Sequence, residues 1–107
     1  MSKVFIRYKV RSEKVETNIK LLRAFFEELA VENRPELTYM AYQLEDRQSF
    51  VHLVNSAKDA RAFAHLPSYR KFRDTLAARC IDAPEMCGIE LIGAFGQSDP
   101  KGIAHFK

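Results

Sequence analysis

Three histidines supply the side chains whose protons move near neutral pH: His52, His65 and His105. His52 stands inside the run Ser49-Phe50-Val51-His52-Leu53-Val54-Asn55, among apolar neighbours. His65 precedes Leu66-Pro67, where a helix must break and freed backbone groups tend to open toward a cavity. Either imidazole can take a proton from a phenol or enol, and an arginine or tyrosine hydroxyl can hold the oxyanion that results. Arg7, a charge within a short alternating stretch, is the candidate for that second task. His52, His65 and Arg7 are therefore the candidate catalytic residues. Each also has an ordinary structural use: a hydrogen-bonded interior ring, a half-exposed loop ring and an interface ion pair. His105, in the tail, is expected to be exposed. Tyr39 and Tyr69 are the candidate ligand-binding tyrosines, with Phe26, Phe63 and Phe72 as apolar walls; the same rings would serve equally as plain core. No glycine-rich phosphate loop, serine elbow or metal-ligand spacing occurs, so no metal or other cofactor is expected.

The elements that must position these residues follow from periodicity. Val4, Ile6, Tyr8 and Val10 alternate with Lys3, Phe5, Arg7, Lys9 and Arg11, which predicts a half-buried strand over Lys3–Arg11. Ser12 offers an N-cap oxygen to a helix over Glu13–Asn33, stopped by Pro35. Its apolar stripe is Val15, Ile19, Leu22, Phe26 and Leu29, broadened by Leu21 and Phe25. Strands are expected at Glu36–Glu45 and Ser49–Asn55, close enough in sequence to form a hairpin. Ser56 is expected to cap a second helix from Ala57, broken at Pro67. Ser68 would cap its continuation, with Tyr69, Phe72, Leu76 and Cys80 on one face. Pro84 ends the helical region, and Ile89, Leu91, Gly93 and Phe95 alternate as a fourth strand. Residues 1–96 form a single expected domain, and 97–107 an irregular tail.

The order β-α-β-β-α-β favours an α+β, ferredoxin-like fold: a four-stranded antiparallel sheet with both helices on one face. The strands carry large apolar residues on both sides, whereas the helices can cover only one. A second copy of the same sheet is the simplest cover, so a homodimer packed sheet face to sheet face, a dimeric α+β barrel, is expected.

An RNA-recognition module shares this topology. Its third strand, however, needs closely spaced aromatics and glycines, and Gln48-Ser49-Phe50-Val51-His52-Leu53 has one aromatic and no glycine. Nucleic acid is not expected as a partner. Instead, Ile6-Arg7-Tyr8-Lys9-Val10, Leu44-Glu45-Asp46 leading into Ser49–Val54, Leu66-Pro67-Ser68-Tyr69-Arg70-Lys71-Phe72 and Ile89-Glu90-Leu91-Ile92-Gly93 are similar to the antibiotic-biosynthesis-monooxygenase-like family of small dimeric α+β barrels. The similarity spans about residues 3 to 96. It implies a homodimer, a pocket between sheet and helices, and cofactor-independent oxygenation of a small aromatic or polyketide-like compound. Active members commonly place a Trp in that pocket, and this chain has no Trp, so haem breakdown is not implied. The alternative is a non-catalytic binding or regulatory protein that uses the same cavity.

The 107-residue length allows one domain, and a net charge of +3 from 17 basic and 14 acidic residues is too mild to mark a polyanion-binding surface. No apolar run approaches the roughly 20 residues that span a bilayer, and the charged opening is not expected to act as a secretory signal. Cys80 and Cys87, seven apart, read as free thiols. A cytoplasmic protein without a membrane partner is expected.

Overall fold

In the computed structural model, which describes residues 2–56 and 63–96, the alternating opening stretch becomes β1, Ser2–Val10. A 3-10 turn at Ser12–Lys14 leads into α1, Val15–Glu32, of 18 residues. Strands β2, Leu37–Gln43, and β3, Ser49–Ser56, follow; then come α2, Pro67–Asp74, the short α3, Leu76–Arg79, and β4, Cys80–Gly88. The sheet has four strands in the order β2-β3-β1-β4, with every pairing antiparallel. The chain is thus α+β and ferredoxin-like, two β-α-β units each split by a strand of the other.

β1 keeps the expected alternation. Tyr8 and Val10 are buried with Ile6 beneath the helices, while Arg7 is exposed on the other side. On β3, Phe50, His52 and Val54 take the helix side, and Val51 and Leu53 the outer side. The outer face also carries Met40 and Tyr42 of β2, 42% and 50% exposed. Under the helices the core falls into two clusters, one around Tyr8, Leu22, Phe50 and Phe72, the other around Phe25, Val54, Phe63 and Leu66.

Several expectations are corrected. The helix does not begin on a Ser12 cap: Arg11 precedes the 3-10 turn and no side chain caps it. The expected stripe does face the core, with Leu22 and Phe25 buried and Val15, Ile19, Leu21, Phe26 and Leu29 packed partly buried around them; the addition is the polar Asn18, buried on the same side. The helix ends where Asn33, at φ 53°, turns left-handed and its N–H reaches the Leu29 carbonyl at 2.9 Å. Ser68 does not cap α2. Leu66 holds the cap position, Pro67 occupies the first turn where its missing N–H costs nothing, and the Ser68 hydroxyl donates to Glu28 of α1. The expected helix from Ala57 lies mostly outside the described residues, and residues 63–65 form a turn. Cys80 does not continue the helical face; it opens β4.

The fourth strand is Cys80–Gly88, not Ile89–Phe95. Register explains how Pro84 fits inside it: Arg7 faces Glu85 and Lys9 faces Asp82, so Ala83 and Pro84 together stand opposite Tyr8 in a bulge. β4 pairs only with β1, so a residue without an N–H breaks no ladder there. The segment after it stays exposed, with Leu91 at 65% and Ile92 at 94%. The expected tail, 97–107, lies outside the described residues.

Candidate functional site

His52 sits at the centre of the helix-side face, 1% exposed. Its direct neighbours across the two ladders are Ile6 of β1 and Ala41 of β2. Two residues along each neighbour, at opposite diagonals, stand Tyr8 and Tyr39, and diagonal positions lie within reach of aromatic side chains. The small Ala41 leaves room for both. The Tyr8 hydroxyl lies 2.9 Å from His52 Nε2 and the Tyr39 hydroxyl 2.9 Å from His52 Nδ1. Both imidazole nitrogens are therefore engaged, one by each tyrosine.

The chain of hydrogen bonds continues away from the sheet. Asn18 of α1, fully buried, donates its Nδ2 to the Tyr8 hydroxyl at 3.0 Å. Arg79, 3% exposed at the end of α3, donates its Nε to Asn18 Oδ1 at 3.0 Å. Its remaining nitrogens donate to Thr75 Oγ1 and, at 3.1 Å, to the Phe72 carbonyl, while the guanidinium lies 5.1 Å over the Phe72 ring. The sequence Arg79–Asn18–Tyr8–His52–Tyr39 thus joins α3, α1, β1, β3 and β2.

Burial sets the charges. It pushes the Tyr8 hydroxyl well above its usual range, with the Asn18 hydrogen bond and the Arg79 charge opposing. Tyr39 is pushed up in the same way, first by burial and then by its neighbouring tyrosines. Burial pushes His52 down to about 4. At neutral pH both tyrosines and the histidine are uncharged, and the guanidinium is the fixed charge of the chain.

Around this relay stands an aromatic shell. Phe63 lies 5.2 Å and Phe26 5.6 Å from the Tyr39 ring, Phe25 lies 5.0 Å from it, and Phe72 stacks 5.8 Å from His52. Tyr69 packs on Phe63 at 4.8 Å. The five aromatic candidates, Tyr39, Tyr69, Phe26, Phe63 and Phe72, therefore share one cluster with His52. Tyr39 and Phe26, with Leu29, Ala30, Leu37 and the rim residues Asn33 and Arg34, line a cleft of about 270 Å³.

The other two catalytic candidates stand apart from the relay. His65 is exposed, with Nε2 3.3 Å from Glu32 Oε2 at the end of α1; that hydrogen bond, followed by one from Arg34, lowers the Glu32 pKa. Arg7 lies on the outer face, on the wall of a larger groove of about 600 Å³. Lys9, Asp46, Asp82 and Glu85 also line that groove, and its mixed charge suits an apolar ring compound poorly. His105 lies outside the described residues. Among the described residues no cluster of three His, Cys, Asp or Glu could hold a metal ion, Cys80 is buried and Cys87 exposed as free thiols, and no helix is long and apolar enough to cross a membrane.

Fold and site together define a ferredoxin-like domain with a neutral tyrosine–histidine–tyrosine relay buried between sheet and helices. The fold is that of solved structures of the antibiotic biosynthesis monooxygenase type. A Nitrosomonas europaea protein provisionally described as such an enzyme superposes with a TM-score of 0.72 at 22% identity, covering 87% of this chain and 100% of its own. A second structure, described as an antibiotic biosynthesis monooxygenase, gives 0.68 at 14% identity, with the same 87% and 100% coverage. Rv0793 from Mycobacterium tuberculosis gives 0.66 at 15% identity, covering 86% of this chain and 95% of its own. No protein-family model and no curated protein matches the sequence.

Proposed function

We propose that this protein is a monooxygenase-type catalyst that acts, without metal or flavin, on a small aromatic or polyketide-like compound bearing a phenol or enol. The observation that carries this reading is the relay itself: ring side chains kept neutral by burial, ending in Tyr39 on the wall of a cleft lined by both apolar and polar residues. In this reading Phe26, Leu29 and Leu37 give a flat ring its contact area, and the polar anchor is the Tyr39 hydroxyl, held by His52 Nδ1. The shared fold with proteins described as monooxygenases supports the same class.

The chemistry needs a substrate anion rich enough in electrons to reduce dioxygen. The bound phenol or enol ionises and its proton leaves to solvent at the cleft mouth. The anion passes one electron to dioxygen, and the radical pair joins through carbon to give, with a proton, a hydroperoxide. Loss of water then leaves a carbonyl. A ring methylene becomes C=O, one oxygen atom enters the product, and the other leaves as water with the two methylene hydrogens. The relay contributes by holding the oxygen of the anion in a site of fixed dipoles.

A second copy of the chain is assigned to the outer sheet face, where Phe5, Val51 and Leu53 lie half-buried beside the exposed Met40 and Tyr42. The test of the catalytic reading is oxygen uptake by the purified protein with a panel of hydroxylated aromatics, anthrones and quinols. Uptake with one class, lowered at least ten-fold by Tyr39→Phe with the fold intact, is expected. Tight binding without uptake would replace the enzyme with a binding protein.

A further inference from the structure

The relay has a direction, and Arg79 sets it. A guanidinium can only donate hydrogen bonds. Its Nε lies 3.0 Å from Asn18, so the atom it meets must be the amide oxygen, and the amide nitrogen must turn to Tyr8. The Arg79 ring contact and its bonds to Thr75 and the Phe72 carbonyl keep the guanidinium from turning away. Tyr8 then accepts from Asn18 and needs an acceptor for its own hydrogen. Among the described residues the one within reach is His52 Nε2, at 2.9 Å. A neutral imidazole that accepts at Nε2 carries its hydrogen on Nδ1 and donates it to Tyr39. The reverse order would leave the hydroxyl hydrogen of Tyr8, a residue 2% exposed, without an acceptor.

We propose that Arg79 is a positioning residue that fixes the hydrogen-bond polarity of the chain. The Tyr39 hydroxyl, already accepting from His52, keeps its hydrogen for the ligand, and the site takes its ligand through an acceptor oxygen, a ketone, quinone or phenolate. The ligand half rests on the cleft beside Tyr39 being the binding site; the polarity half does not. A site of this polarity selects against a ligand that must donate there, because two donors would face each other.

One near-isosteric change reverses the chain. In Asn18→Asp the carboxylate accepts from both sides. Tyr8 then donates to that carboxylate, accepts from Nε2–H, and leaves Nδ1 to accept from Tyr39. Long-range nitrogen–proton NMR of 15N-histidine protein reads the tautomer directly. The expected result is Nδ1–H in the native protein, Nε2–H in Asn18→Asp, and a mixture in Arg79→Met. A native Nε2–H form, or a tautomer unchanged in Asn18→Asp, would overturn the polarity; should Arg79→Met fail to fold, Asn18→Asp still decides. Calorimetric titration with 1-tetralone and with its carbonyl-free counterpart tetralin tests the other half. Asn18→Asp should weaken tetralone about ten-fold, as for one lost hydrogen bond, and leave tetralin unchanged. Equal effects on both would overturn selection by an acceptor oxygen. If neither compound binds the native protein, the cleft reading fails, while the nitrogen shifts still judge the role of Arg79.

Discussion

Removing the Tyr8 hydroxyl tests the relay with little loss of volume. Tyr8→Phe keeps the ring that stacks on Phe50 at 5.5 Å and touches Phe72 at 6.2 Å, so packing is conserved. What it removes is the partner of two buried groups: Asn18 Nδ2, on a residue 0% exposed, and His52 Nε2, on a residue 1% exposed. A buried polar group that loses its partner costs about 1–3 kcal/mol. Two such groups, with some relaxation, place the loss at about 2–4 kcal/mol. For a domain of this size that corresponds to a fall of roughly 10–20 °C in Tm. Urea unfolding of the native protein, Tyr8→Phe, His52→Phe and the double variant gives both the loss and the coupling. Once His52 is gone, Tyr8→Phe strands only Asn18, so its cost should shrink by about 1–3 kcal/mol. A Tyr8→Phe loss below about 1 kcal/mol, or additive losses in the double variant, would show that the hydroxyl is not the buried link described above.

Two further outcomes follow from the same structure. His52 is pushed down to about 4 from an ordinary 6.5 by burial, so between these values the unfolded chain binds the extra proton and the folded chain does not. Stability should therefore fall by about 3 kcal/mol as pH drops from 6.5 to about 4, and urea unfolding of His52→Phe should show a correspondingly flatter profile over that window. Leu53→Glu places a charge on the outer face without touching the relay. Sedimentation velocity should show the native protein as a dimer and the variant as a single subunit; a native protein that stays single at high concentration would remove the sheet-to-sheet partner.

The fold was written in the sequence wherever burial is one-sided. β1 alternates because one face meets α1 and the other does not, and the same holds for the hairpin of β2 and β3. β4 was misplaced because Cys80–Gly88 is exposed along nearly its whole length, so no core imposed an alternation on it. The period-two pattern of Ile89 and Leu91 belongs to a segment that stays exposed beyond the Ile89 N–H bond to the Lys3 carbonyl, and there hydrophobicity carries no register. In the site, His52 and Tyr39 were legible as ionisable or amphipathic groups on strands. Tyr8, Asn18 and Arg79 were not assigned, because the bonds that join them bridge separations of 10, 44 and 61 residues and depend on strand register. One signal was available. Asn18 falls between Val15 and Leu22 at helical spacing, a polar side chain on an apolar line, and such a position is held only if it is hydrogen-bonded.

Pro84 bears on how copies of this chain can meet. An outermost strand with a full row of unused amide donors is a template on which further strands grow without limit. Here that row is interrupted midway, and the bulge that accommodates the ring skews the backbone where a newcomer would align. Proline and bulge together disfavour the addition of a further strand along β4. The face-on pairing proposed above makes no use of this edge.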